Sequence, residues 1–215
     1  MTYLELINDV LIRLRETTVS TNAETTYSTL IGKFVNDAKR QVEDSFSWNV
    51  LSQTITVTTV ASTPSYSLTG AGQKFQIQDA INVTSNVGMI NISFVDMNRK
   101  QNFLPLVNAI PTEFAFDGVD GSGDTKVSLF PIPDNVYSIK FALTVPQATL
   151  SADGTSVLVP DVLVAQNAYA RALVERGEDG GLSSSEAYLL YKSMLSDHIA
   201  LEGTRYPETG EFVAI

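Results

Sequence analysis

The sequence has no cysteine, a single tryptophan and a single histidine, His198. The missing thiols exclude disulfides, a thiolate nucleophile and any cysteine-based metal site. No apolar run approaches the roughly 18 residues that a membrane-spanning helix needs. Met1 to Glu16 reads as an amphipathic helix, without the basic-then-apolar order of a secretory leader, so the expectation is a chain folded in cytoplasm with no membrane partner. No strand-helix-strand alternation is present, which excludes a Rossmann layout. Gly70-Ala71-Gly72 does not lead to Gly-Lys-Ser/Thr and is no phosphate cradle. Cations are also scarce: 24 acidic against 14 basic residues leave a formal charge of -10. That charge disfavours sequence-specific DNA binding, but it suits the wall of a conduit through which DNA slides.

What is present is a sequence of periodicities. Thr2 and Glu5 have the spacing of a capping box, followed by Tyr3, Ile7, Val10, Leu11 and Leu14 at helical intervals. After a polar connector from Thr17 to Thr26, a second stripe runs through Tyr27, Leu30, Ile31, Phe34, Val35, Ala38, Val42 and Phe46. Lys39 and Arg40 lie within helical reach of Glu43 and Asp44, and read as a solvated, mutually paired face. Trp48 is expected to close the seam between helices and sheet. From Gln53 the period becomes two, and segments at Gln53 to Val60, Phe75 to Val83, Val87 to Phe94, Glu113 to Phe116, Thr125 to Phe130 and Tyr137 to Val145 read as strands. Thr84 to Asn86 form a hairpin corner, and Ser93 with Asp96 caps a brief helix. Past Pro160 a helix begins near Asp161 and stops at Gly177. Ser183 and Glu186 mark a capping box for a last helix with Ala187, Leu190, Tyr191, Met194, Leu195 and His198 on one side.

These patterns predict an α+β fold: a helical bundle formed by the N- and C-terminal helices with an inserted antiparallel β-sandwich-like domain. Residues 1–50 and 160–206 are assigned to the bundle, 51–159 to the β-rich domain and 207–215 to a C-terminal tail.

Candidate chemistry is sparse. His198 has neither a nucleophile nor an orienting acid in a useful pattern and reads as a core or interface histidine. Asp117, Asp120 and Asp124 do not make a calcium loop, because Ser128 occupies the position where a bidentate Glu is needed. With Glu113 they could in principle provide the acid and nucleophile of a glycan hydrolase. The sequons at Asn82 and Asn91 are chance matches in a chain read without a leader. No catalytic, cofactor-binding or metal-binding residue is assigned.

Several strings resemble the head-to-tail adaptors, or tail tubular protein A type proteins, of short-tailed bacteriophages. They include Tyr3-Leu4-Glu5-Leu6-Ile7-Asn8-Asp9-Val10-Leu11, Phe34-Val35-Asn36-Asp37-Ala38-Lys39-Arg40, Tyr66-Ser67-Leu68-Thr69-Gly70-Ala71-Gly72, Leu129-Phe130-Pro131-Ile132-Pro133-Asp134 and Ala168-Tyr169-Ala170-Arg171-Ala172. The resemblance implies a structural, non-enzymatic virion protein that forms a dodecameric ring between the portal protein and the tail nozzle protein. Its central channel would pass DNA during ejection without specific binding, and no cofactor or metal follows. It also implies engagement of the portal through the C-terminal segment, where the apolar Tyr206, Phe212, Val213 and Ile215 are the candidate contacts. The alternatives are a virion-associated glycan hydrolase and a β-sandwich carbohydrate-binding module. The second would need exposed aromatic platforms, whereas the aromatics here fall mostly on inward stripes.

Overall fold

A computed structural model of the protein describes residues 1–103, 105, 107–177 and 181–205, and the first of its helices starts where the capping box puts it. The Thr2 hydroxyl accepts from the Glu5 backbone N–H and the Glu5 carboxylate accepts from the Thr2 N–H, opening α1 (Tyr3–Arg13). In α2 (Thr26–Ser45) Thr25 and Ser28 make the same reciprocal pair, with a serine where the pattern usually has an acid. A short 3-10 turn, Asn49–Leu51, closes this part of the chain.

The chain divides into two compact units. One contains Met1–Leu51 and the described residues from Gln147 onward, the other Ser52–Pro146.

Two further helices, α4 (Asp161–Arg176) and α5 (Leu182–Gly203), complete the helical unit after the short α3 (Phe94–Asn102) of the β-rich one. Its core draws on both ends of the chain: Leu6, Ile7, Val10 and Leu11 of α1, Ile31, Val35 and Val42 of α2, Leu163, Val164 and Ala168 of α4, Tyr191 and Leu195 of α5. Each large side chain removed from water contributes ~1.5 to 3 kcal/mol, which none of the stripes could gain alone. At Gly32 the helices come so close that a Cβ would collide with the Tyr3 hydroxyl. The central helix, α4, is buried around much of its circumference, and Ala165, Ala168 and Ala172 permit that close approach. It ends on Gly177 at φ 62, the left-handed position expected of a terminating glycine. Trp48 is part of this core: its indole N–H donates to the Val42 carbonyl at 2.7 Å and its ring meets Phe46 edge to face.

The β-rich unit holds β1 (Ser52–Thr58), β2 (Ser65–Ser67), β3 (Gln76–Asn82), β4 (Val87–Gly88), β5 (Ile90–Asn91), β6 (Asn108–Ala109), β7 (Glu113–Val119), β8 (Thr125–Phe130), β9 (Ile132–Pro133) and β10 (Ser138–Thr144). They form a four-stranded sheet in the order β1-β10-β3-β4, another in the order β2-β8-β7-β5, and a pair β6-β9. The first two share one core: Val57, Ile139, Phe141 and Leu143 meet Leu68, Phe114, Val127 and Leu129, and the Phe114 and Phe141 rings stand edge to face at 5.4 Å. Gly118, at φ 67, sits in the β-bulge between Phe116 and Val119.

Five expectations change. The strands are not all antiparallel, because β5 pairs parallel with β7 and β6 with β9. The hairpin after Asn82 lasts only two residue pairs: Met89 turns into the core, and Ile90 leaves β3 for the open edge of β7. The Ser183–Glu186 box does not start α5, since Gly181 at φ 92 lets the helix begin at Leu182. Leu190 faces outward and is 53% exposed, because α5 buries the arc through Ser184, Ala187, Tyr191, Leu195 and Glu202. Lys39 and Glu43 are not solvated. Their side chains are each 1% exposed, because both lie on the buried arc of α2 with Val35 and Val42.

Candidate functional site

Three polar side chains on the buried arc of α2, Asn36, Lys39 and Glu43, hold a later segment of the chain in place. Asn36 donates from Nδ2 to the Leu150 carbonyl at 3.0 Å and accepts the Leu150 N–H on Oδ1 at 2.8 Å, so one amide side chain satisfies both backbone groups of one residue. One turn on, Lys39 donates to the Gln147 carbonyl at 2.6 Å and to Glu43 at 3.0 Å, while Glu43 accepts the Gln147 N–H at 3.1 Å. Burial holds the Glu43 carboxyl above the usual glutamate range, against the opposing pull of the Lys39 ammonium. Arg40 adds a bond to Thr149 at 3.0 Å. Asn8 repeats the device, exchanging two bonds with the backbone of Val19 at 2.9 and 3.0 Å.

A cavity of about 270 Å³ opens among α2, α4 and α5, lined by Gln41, Asn167, Ala170, Arg171, Val174, Ser184 and Tyr188. Gln41 Oε1 accepts from both Asn167 Nδ2 and Arg171 Nη2 at 2.9 Å. The Arg171 Nε–H is buried without an acceptor among the described residues. Tyr191, fully buried and 5.8 Å from the Tyr188 ring, also has a hydroxyl with no partner there. Burial raises its phenol above the ordinary value, while the Arg171 charge pulls it down. A second cavity, of about 320 Å³, is lined by Arg13, Arg15 and Arg176, two of which already engage acids of this chain, Asp9 and Glu16.

The residues singled out from the sequence are not brought together. Tyr206, Phe212, Val213 and Ile215 lie outside the described residues. His198 Nδ1 sits 2.8 Å from the Met194 carbonyl of its own helix. Glu113 is paired with Lys100 at 2.5 Å, and Asp117 accepts from the Ser128 hydroxyl at 3.0 Å. Asp120 accepts the N–H groups of Ser122 and Asp124, and bonds led by the Ser67 hydroxyl hold its carboxyl below the usual range. Asp124 accepts from the backbone of Gly70 and Gly72 at 3.1 and 3.0 Å, tying two turns together. These acids organise loops. Asn82 is wholly buried, with its amide 3.5 Å from the Pro111 carbonyl. Among the described residues no cluster of three potential metal ligands occurs.

The sequence reading missed Asn36, Lys39, Glu43 and Arg171 as a group. The signal was available: Asn36 and Lys39 fall among apolar positions of α2, and Asn167 and Arg171 lie on the small-residue helix α4, where a polar side chain needs a built partner.

A family model described as SU10 adaptor protein matches residues 1–210. No curated protein matches the chain.

Proposed function

The chain belongs to the SU10 adaptor protein family, structural adaptors of the bacteriophage virion, and on that premise we propose that its copies close into a ring between portal and tail nozzle. DNA would pass through the centre of that ring. The observation that carries the reading is the extent of the family match, which runs through both units. A helical core assembled from both chain ends supports it, because such a core gives each copy a preorganised surface to present to neighbours. Many modest contacts repeated around a ring bring avidity that no single site has. The test is particle mass and negative-stain imaging of the protein with and without portal protein. An added, open-centred layer is expected, and its absence would defeat the proposal.

The portal contact is proposed to lie in the C-terminal segment 207–215 together with the adjoining Tyr206, with Tyr206, Phe212, Val213 and Ile215 as the touching residues. The support is compositional: three large apolar residues stand among the last four, and burial against a partner could return ~1.5 to 3 kcal/mol for each before the cost of ordering. Deleting 207–215 is expected to weaken attachment to the portal at least severalfold, with thermal melting followed as the control. A truncated chain that docks like the full one removes the segment from the mechanism. The glycan-hydrolase reading has no observation in its favour, since Glu113, Asp117, Asp120 and Asp124 are each engaged in structural bonds.

A further inference from the structure

We propose that the cavity among α2, α4 and α5 is a socket for a carboxylate side chain of a second copy of this chain, seated on Arg171. This rests on the reading that copies assemble, and adds where one contact lies and what chemistry makes it. Arg171 has one hydrogen-bond partner among the described residues, Gln41 Oε1, and no carboxylate pairs with it there. Arg13, Lys39, Lys100, Arg176 and Arg205 each have an acid of their own chain within 3.0 Å. A guanidinium cannot shed its proton, so the donors of Arg171 that face the cavity take water in the free subunit and are open to an acceptor from a partner.

The chemistry of the cavity specifies that acceptor. Gln41 Oε1 is already shared between Asn167 Nδ2 and Arg171 Nη2, and the Arg171 Nε–H, itself buried, has no acceptor among the described residues. A site rich in donors and short of acceptors favours a group that only accepts, and charge-assisted bonds to a carboxylate are the strong choice. Around this polar centre the lining turns apolar: Val174 is 67% exposed, Ala170 offers a methyl, and the Tyr188 ring carries Lys192 above its face at 5.7 Å. Arginine and tyrosine under an apolar rim match the composition of protein interface centres. A second copy is the proposed occupant because the chain carries carboxylates in excess of its own cations, with 24 acids against 14 bases. The same charge disfavours a nucleic-acid phosphate as the visitor.

The test uses the full chain and the variants R171Q, V174E and V174Q, with assembly concentration read by analytical ultracentrifugation and folding by thermal melting. Glu at 174 stands one helical turn from Arg171 and fills the socket from within, at an exposed position where the fold tolerates it. R171Q and V174E are expected to raise the concentration needed for assembly by about tenfold or more, while V174Q stays close to the parent. A second readout is the Val174 methyl resonance titrated with sodium acetate against sodium chloride at equal ionic strength. A saturable, acetate-specific shift that vanishes in R171Q is expected. No such shift overturns the socket, even where R171Q assembles poorly. R171Q assembling like the parent overturns the inference and leaves the ring standing. A parent chain that forms no oligomer with or without portal protein removes the ring and this occupant together.

Discussion

Asn8 and Asn36 do the same work in two places, each lending one amide to both backbone groups of another residue, Val19 eleven positions on and Leu150 114 positions on. No aliphatic residue of the same size can replace that exchange. Asn36→Leu strands a buried N–H and a buried carbonyl, at ~1 to 3 kcal/mol for each unsatisfied group. The expected loss is ~2 to 5 kcal/mol in urea unfolding, and a loss below ~0.5 kcal/mol would show that the Leu150 groups find other partners. Lys39 and Glu43 form a buried pair whose members also satisfy Gln147, so removing one partner leaves the other charged in the core. Lys39→Met alone is expected to cost ~3 to 5 kcal/mol. Lys39→Met with Glu43→Leu removes both charges and should recover part of that, the remainder being the unmet N–H and carbonyl of Gln147. The pair also sets a pH dependence. Because burial raises the Glu43 carboxyl, the folded state binds its proton more tightly than the unfolded state. Its contribution to stability therefore falls as pH rises from about the ordinary glutamate value of 4.5 through the raised folded one, and is flat above. The stability of the parent minus that of Glu43→Gln should follow this slope, and a difference that rises with pH in that window would reverse the assignment.

At the scale of elements, what could be read from sequence was whatever leaves a local mark. Thr2 with Glu5, Ser93 with Asp96 and the terminating Gly177 act within a few residues of themselves, and each acts as its pattern predicts. The alternating Ile139, Phe141 and Leu143 of β10 are equally legible, because a strand's buried face repeats every second residue. What could not be read depends on distant neighbours. The strand β5 takes its partner from twenty-odd residues away, and Gln147 to Val159 has no helical period yet runs with the helical unit, held by Asn36, Lys39 and Glu43. In α5 the apolar residues surround the helix, with Leu182, Leu189, Leu190 and Leu201 outside and Tyr191 and Leu195 inside, so periodicity does not single out a face. That difference is measurable. Leu195→Ala is expected to cost ~2 to 5 kcal/mol and Leu190→Ala within ~0.5 kcal/mol in the isolated subunit. Equal losses at the two positions would contradict the orientation of α5.

At the scale of the whole molecule, charge is the property that a ring multiplies. A dodecamer would carry about -120, twelve times the formal -10, and a polyanion passing through it meets a field of its own sign wherever that charge faces the lumen. Part of the basic complement is already matched within the chain. Arg13, Lys39, Arg99, Lys100, Arg176 and Arg205 are each committed to an acid of the same chain, and Arg171 sits in a cavity among three helices. Duplex binding draws its affinity from lysines and arginines that displace counterions from phosphates, and six of the 14 here are already matched by carboxylates of their own chain, which holds ten more acids than bases. An assembled ring mixed with linear duplex DNA at physiological salt is therefore expected to give no mobility shift at micromolar protein. Lowering the salt to about 50 mM should add little, because the salt dependence of binding scales with the number of phosphates neutralised. A tight, strongly salt-dependent complex would mean that a basic surface is created only on assembly, and would replace a passive channel wall with one that grips the DNA.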